Sequence, residues 1–314
     1  MEKKAAVNNY QRLQDKLANG DIVIMDGAVG TELQRRGVAM QGRAWCALAT
    51  ETHPQILETI HRDYITAGAE IIIANTFAST REILKPLQMG DKFVDLNKRA
   101  VEIAINASSH TQQPVLVAGS IAHTRPTRVG EWSPARSPAQ FEDDCYQMAC
   151  LHKAGGCDFI MAEMLGDIEY SPAIMRAVQA ARLPLWLGFS ALAGAGGAAG
   201  GLVTYSSAAT DFSKAIGAIG CAGADVAGMM HTEAPLTQTA LALLKAQWAG
   251  VTITYPDSMP KRRQENEALD LSQQISEQQF VQYCQQWRAA GVQVFGGCCG
   301  LSVTHIAALT EAFK

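Results

Sequence analysis

The chain has 314 residues, 48% hydrophobic and 18% charged, with 26 Lys and Arg against 30 Asp and Glu for a formal charge of −4. That balance excludes a disordered chain and offers no basic surplus for a nucleic-acid partner. No apolar stretch nears the ~20 residues of a membrane span, and Met1-Glu2-Lys3-Lys4 runs into Asn8-Asn9-Tyr10-Gln11 rather than a signal core, so a cytoplasmic protein with no membrane partner is expected.

Residues 1–20 read as an N-terminal helical cap. A first apolar, β-branched run follows at 21–26 (DIVIMD), then a helix at 54–67 with Ile56, Leu57, Ile60 and Tyr64 on one stripe. The run at 69–77 (AEIIIANTF) precedes a helix at 91–108, whose stripe is Phe93, Leu96, Val101 and Ile105. Runs at 114–120, 157–164 and 184–190 alternate with helices at 138–154 and 169–180. The only low-complexity patch, 191–201 (ALAGAGGAAGG), reads as a loop, either a plain connection or a lid built from small residues. A helix at 208–221, a run at 224–231, a helix at 234–247 and a run at 250–257 come next. A helix at 276–290, a last run at 291–299 and a helix at 304–313 end the series. Gly20, Gly68, Gly156, Gly223 and Gly291 precede five of the runs, as helix-ending glycines should.

Near-continuous apolar runs without strict alternation mark parallel strands covered on both faces. Eight of them, interleaved with helices, predict an α/β fold of the (β/α)8 TIM-barrel type, with residues 1–314 forming one domain. The eight cysteines are no disulfide scaffold in a chain of this length without a signal peptide, and most sit in apolar segments as small buried residues.

In such barrels chemistry sits at the C-terminal strand ends. The sixth run ends at His231 and the eighth at Cys298-Cys299. Two thiolates and an imidazole make three metal ligands and leave one corner of a tetrahedral Zn²⁺ open, the plan of a catalytic site rather than a zinc finger. Taken singly, His231 also fits a hydrogen-bonded polar residue, and the cysteines a redox pair or buried filler. Asp26 and Glu163 end the first and fourth runs, where a carboxylate is costly unless something polar faces it. They suit acid–base work or capture of an amino group; a helix cap or an Arg partner is the plainer alternative. Asn75-Thr76-Phe77, Ser120 with His123, Ser190 and Tyr255-Pro256-Asp257 occupy the other strand ends.

Asp26-Gly27-Ala28-Val29-Gly30-Thr31-Glu32-Leu33 with Arg36-Gly37, Tyr64-x-x-Ala67-Gly68-Ala69, Asn75-Thr76-Phe77, Val117-Ala118-Gly119-Ser120, Glu163, Tyr255-Pro256 and Gly296-Gly297-Cys298-Cys299-Gly300 together resemble the homocysteine S-methyltransferase family, from about residue 20 to 312. The resemblance implies a zinc-dependent barrel that moves a methyl group from a sulfonium or ammonium donor (S-methylmethionine, S-adenosylmethionine or a betaine) to the thiol of homocysteine, giving methionine. It assigns Cys298 and Cys299 as zinc ligands and Asp26 and Glu163 as binders of the amino-acid end of homocysteine. Asn75, Thr76 and Tyr255 fall on pocket positions.

The sequence departs from the family at Gly228-Met229-Met230-His231, where the family has Gly-x-Asn-Cys; His231 takes the third ligand's place by position only. Two thiolates and a neutral imidazole leave the zinc centre neutral, where three thiolates leave it at −1. A neutral centre favours deprotonation of a bound thiol and makes the resulting thiolate less nucleophilic. Methylation of another thiol, hydrolysis by a zinc-bound water and simple binding of a thiol amino acid are the alternatives. Trp45, Phe77, Phe189 and Tyr255 are the aromatics that can either face a donor cation or pack in the core. Betaine-using relatives resemble longer chains with a C-terminal oligomerisation segment, so the ending at Lys314 resembles the sulfonium users more closely; a monomer or small homo-oligomer is the expected state.

Overall fold

The computed structural model describes residues 2–39, 44, 46–111, 113–123, 137–195, 197, 201–258 and 271–314. Helix α1 (Glu2–Ala18) precedes β1 (Val23–Ile24), and α2 (Val29–Arg35), α3 (Ala49–Thr52) and α4 (Pro54–Thr66) lead to β2 (Ile71–Ile73). Then come α5 (Arg81–Leu84), α6 (Phe93–Ser109), β3 (Leu116–Ala122), α7 (Pro138–Gly155), β4 (Phe159–Leu165), α8 (Ser171–Ala181) and β5 (Leu185–Phe189). Three short strands follow, β6 (Ala191–Ala193), β7 (Leu202–Thr204) and β8 (Ser207–Asp211). The chain continues through α9 (Phe212–Ile219), β9 (Val226–Glu233), α10 (Ala234–Lys245), β10 (Val251–Asp257), α11 (Glu277–Ala289), β11 (Val294–Phe295) and α12 (Val303–Phe313).

Strands β1, β11, β10, β9, β5, β4, β3 and β2 lie side by side in that order, every neighbouring pair parallel. A parallel bridge between Met25 and Ile71 joins β1 back to β2 and closes the ring. This is the expected (β/α)8 barrel. Alternate residues of each strand enter two separate apolar layers, which explains why the runs showed no period of two. Phe159 and Met161 point into the barrel with Met25, Ile71, Val226, Ile253 and Val294. Ile160 and Ala162 point outward to the helices with Ile72, Val117, Leu187 and Phe295.

The floor of the barrel is plugged from α1 by Tyr10, Leu13 and Leu17. The Tyr10 hydroxyl donates to Asp225 Oδ2 at 2.7 Å and accepts from the Trp186 indole N–H at 2.9 Å, so the plug is polar as well as apolar. Capping boxes at Ser137 with Gln140 and at Ser276 with Gln279 start α7 and α11. The five glycines expected to end helices all take positive φ, between 76° and 108°.

Two local expectations fail. The helix expected over 208–221 begins at Phe212, because Ser207–Asp211 is a strand and Asp211 caps the helix by accepting from the Lys214 N–H. The stretch expected to be a loop starts as strand: Ala191–Ala193 pairs antiparallel with Leu202–Thr204, which pairs with Ser207–Asp211. The small residues of β6 and β8 carry almost no strand signature, and the Leu202–Thr204 strand between them, which has β-branched side chains, is only three residues long. Residues 196 and 198–200 of that patch, and Trp45, lie outside the described residues. No helix among the described residues is long and apolar enough to cross a membrane.

Candidate metal centre and acidic pocket

The eighth barrel strand ends in a loop held from three sides. The Gly297 N–H donates to the Asp26 carbonyl at 3.0 Å and the Cys298 N–H to the Pro256 carbonyl at 2.8 Å. The Ser258 N–H and hydroxyl both donate to the Cys299 carbonyl, each at 3.0 Å, and the Gly300 N–H donates to the Thr31 hydroxyl at 3.0 Å. Gly296 lets the strand approach β1, since a Cβ there would stand 2.9 Å from the Asp26 carbonyl oxygen. The two thiols are thereby fixed against the ends of β1 and β10.

His231 reaches them through a register slip. Between Tyr255 and Asp257 the pairing with β9 jumps from Met230 to Glu233, and His231 within the slip takes φ +43°, a left-handed backbone rare outside glycine. Such a bulge interrupts the pleat and re-aims a side chain. Nδ1 of His231 comes to 3.4 Å from Cys298 Sγ and 3.9 Å from Cys299 Sγ, and the three donor atoms all lie within 4.8 Å of one another. An imidazole and two sulfurs converging at this spacing fit a divalent ion of borderline softness. Without a metal, the Cys298 thiol is pushed up by its hydrogen bond with Cys299, by burial, and by the charges of Cys299, Asp257 and Glu163. A cation would reverse that push.

A second slip, between Ala162 and Leu165 of β4, contains Met164 at φ +59°. Its N–H donates to the Met230 thioether at 2.9 Å, tying the two irregular strands together. Glu163, beside it, points inward and accepts from the Ser120 hydroxyl. Burial raises Glu163 to about 7, opposed by the hydrogen bond from Ser120 and by the nearby Tyr255 hydroxyl. Burial likewise holds Asp26 well above the usual carboxylate range, with the Ile73 N–H at 2.8 Å lowering it and the charge of Glu163 raising it. Two buried acids that each disfavour their own charge are groups whose burial cost a cation beside them would relieve.

Tyr255 lies 2% exposed beside them, its hydroxyl end lodged against Gly188 of β5, which pairs with Gly228 of β9. A Cβ on Gly188 would fall on the Tyr255 hydroxyl, and one on Gly228 would fall on the Ile253 carbonyl oxygen. Thr76 and Asn75 are turned to the scaffold. The Thr76 hydroxyl donates to the Ser120 carbonyl at 2.9 Å and accepts from the Ser120 N–H at 3.0 Å, and Asn75 Nδ2 donates to the Cys46 carbonyl at 2.9 Å and the Thr50 hydroxyl at 3.1 Å.

His123 stays apart from the metal cluster, stacked on Tyr170 at 4.7 Å with Nδ1 3.2 Å from Glu82. Phe189 is fully buried toward the helices, while Phe77 is half-buried at the edge of the barrel layer. Sequence reasoning missed two neighbours of the cluster. Tyr205, in the turn between β7 and β8, stands edge-on to His231 with centroids 5.1 Å apart. Asp257 places Oδ2 3.4 Å from His231 Nδ1. Asp257 was readable as the residue after Tyr255-Pro256 at a strand end; the signal for Tyr205 was the short Leu202-Val203-Thr204 run before it.

A family model described as homocysteine S-methyltransferase matches residues 23–313. Homocysteine S-methyltransferase 3 of Arabidopsis thaliana is 25% identical, over 94% of this chain and 90% of its own. Homocysteine S-methyltransferase 4 of Zea mays is 23% identical over the same shares, and selenocysteine Se-methyltransferase of Brassica oleracea var. italica is 24% identical over 92% and 88%. Among solved structures, the homocysteine methyltransferase MmuM of Escherichia coli in its metallated form superposes with a TM-score of 0.71 at 22% identity, covering 93% of this chain and 96% of that one.

Proposed function

Because the chain belongs to the homocysteine S-methyltransferase family, we propose that it is a zinc-dependent enzyme moving a methyl group from a sulfonium or ammonium donor to the thiol of homocysteine. The observation that carries this reading is the convergence of His231 Nδ1, Cys298 Sγ and Cys299 Sγ beside a pocket of two buried acids. Zinc suits the donor set, with three protein ligands and one corner for the substrate. When bound, it supplies the Lewis acidity that keeps an acceptor thiol deprotonated at neutral pH.

The residues divide the remaining work. Asp26 and Glu163 take the acceptor's ammonium group, whose charge relieves the burial cost of theirs. Tyr255 packs against Glu163 and limits how far the acceptor side chain can sink. Ser120 fixes the Glu163 carboxylate, and Thr76 and Asn75 hold the strand ends that carry Ser120 and the 46–50 segment. The acceptor sulfur is then fixed toward the mouth at the metal end. Displacement forms a new S–CH3 bond as the donor's bond to the same carbon breaks, and the donor leaves as a neutral sulfide or amine. Positive and negative charge cancel in that step, so a dry, aligned pocket favours it without a proton shuttle.

The test is a donor and acceptor panel on zinc-analysed protein: S-methylmethionine, S-adenosylmethionine, betaine and dimethylsulfoniopropionate, each with homocysteine and with selenocysteine. Zinc bound near one per chain and lost in His231→Ala, with methionine formed from at least one donor, is expected. Protein that carries no zinc at any loading refutes the reading.

A further inference from the structure

We propose that Asp257 supplies, from just outside the ligand set, the negative charge that a third thiolate would otherwise bring. The inference rests on the zinc reading above. Its Oδ2 lies 3.4 Å from Nδ1 of His231, the same ring nitrogen that faces Cys298 at 3.4 Å and Cys299 at 3.9 Å. The carboxylate therefore flanks the position where a metal would meet the imidazole, not the opposite edge of the ring.

Solvent cannot do this work in its place. The Asp257 side chain is 4% exposed and that of His231 16%, so the carboxylate is felt at short range through little water. The placement is also built in. The slip that inserts His231 into β9 is the one that brings Asp257 into register with Glu233, so the bulge delivers the imidazole and the carboxylate to one spot.

Two thiolates, an imidazole and a divalent ion sum to zero; with the Asp257 carboxylate the assembly carries −1, the charge of a three-thiolate centre. The neutral centre expected from the His231 replacement alone is thus corrected by a residue on the neighbouring strand. The added charge opposes withdrawal of electron density from a bound sulfur and so keeps it nucleophilic.

The experiment is a double-mutant cycle on the full-length, zinc-loaded protein, read as zinc affinity by competition with a chromophoric chelator. The thiolate-to-metal absorption of the Co²⁺-substituted protein reports the ligand set in parallel. Asp257→Asn is expected to weaken zinc binding ~10–100-fold with His231 present. In the His231→Cys background, where a third thiolate restores the charge, the same change is expected to cost less than about 3-fold. Asp257→Glu, which keeps the charge, is expected to hold more affinity than Asp257→Asn. An equal loss in both backgrounds marks Asp257 as merely structural and overturns the inference, as does no loss with His231. Wild-type protein that binds no zinc overturns the functional reading together with it, so the two failures are told apart.

Discussion

Replacing Glu163 with Gln should make the metal-stripped, ligand-free protein more stable, and increasingly so as pH rises. Burial lifts the Glu163 carboxyl from an ordinary 4.5 to about 7. A raised acid favours the fold below its unfolded value, and that contribution is lost as pH climbs through the folded one. At ~1.4 kcal/mol per unit, the wild type should lose on the order of 2 kcal/mol relative to Glu163→Gln between about pH 5.5 and about pH 8.5. Asp26, whose carboxyl the Glu163 charge also raises, relaxes in the variant and adds in the same direction. Urea unfolding of both proteins at the two pH values, in the presence of a chelator, measures the difference. A gap that stays constant or narrows at high pH would refute the picture of Glu163 as a buried acid waiting for a cation. The same variant should lose homocysteine binding, because the ammonium loses its nearest countercharge.

Cys298→Ser should abolish stoichiometric metal binding, measured by elemental analysis after dialysis; full retention would remove Cys298 from the ligand set. Tyr10→Phe deletes a donor to Asp225 and an acceptor for Trp186 under the barrel, and should cost ~1–3 kcal/mol in urea unfolding, with an unchanged midpoint counting against the plug. Gly228→Ala puts a methyl group onto the Ile253 carbonyl, which backbone pairing cannot move aside, so a loss of about 3 kcal/mol or failure to fold is expected, and a soluble variant of native stability would contradict the geometry.

The barrel was legible in the chain because buried parallel strands and their helices alternate in composition as they do in space. Every barrel strand falls inside its expected run or within two residues of it, from Val23–Ile24 to Val294–Phe295. The candidate site was legible to the extent that its residues end strands: His231, Cys298 and Cys299, which converge, and Asp26 and Glu163, which are buried, were named from position plus chemistry. What could not be read is how they are aimed. The left-handed backbones of Met164 and His231 come from pairing slips between strands, and no residue type announces them. The β6–β8 sheet escaped because the small residues of β6 and β8 leave those strands without a side-chain pattern and the Leu202–Thr204 run of β7 is only three residues long, and Tyr205 escaped with it. Asp257 needed the opposite strand's slip to become a neighbour of His231. Asn75 and Thr76 show the converse: polar residues at strand ends whose hydrogen bonds go to the frame.

The facing glycines of β5 and β9 carry an evolutionary consequence. Because the Tyr255 hydroxyl fills the space a side chain at 188 would need, positions 188 and 255 cannot drift independently, while 228 is held to glycine by the Ile253 carbonyl. A lineage that swaps Tyr255 for a smaller residue can afterwards accept alanine at 188, but the reverse order passes through a jammed intermediate. Changes at this pair should therefore be entered through position 255 first, leaving a directional signature in any ancestral reconstruction of this barrel.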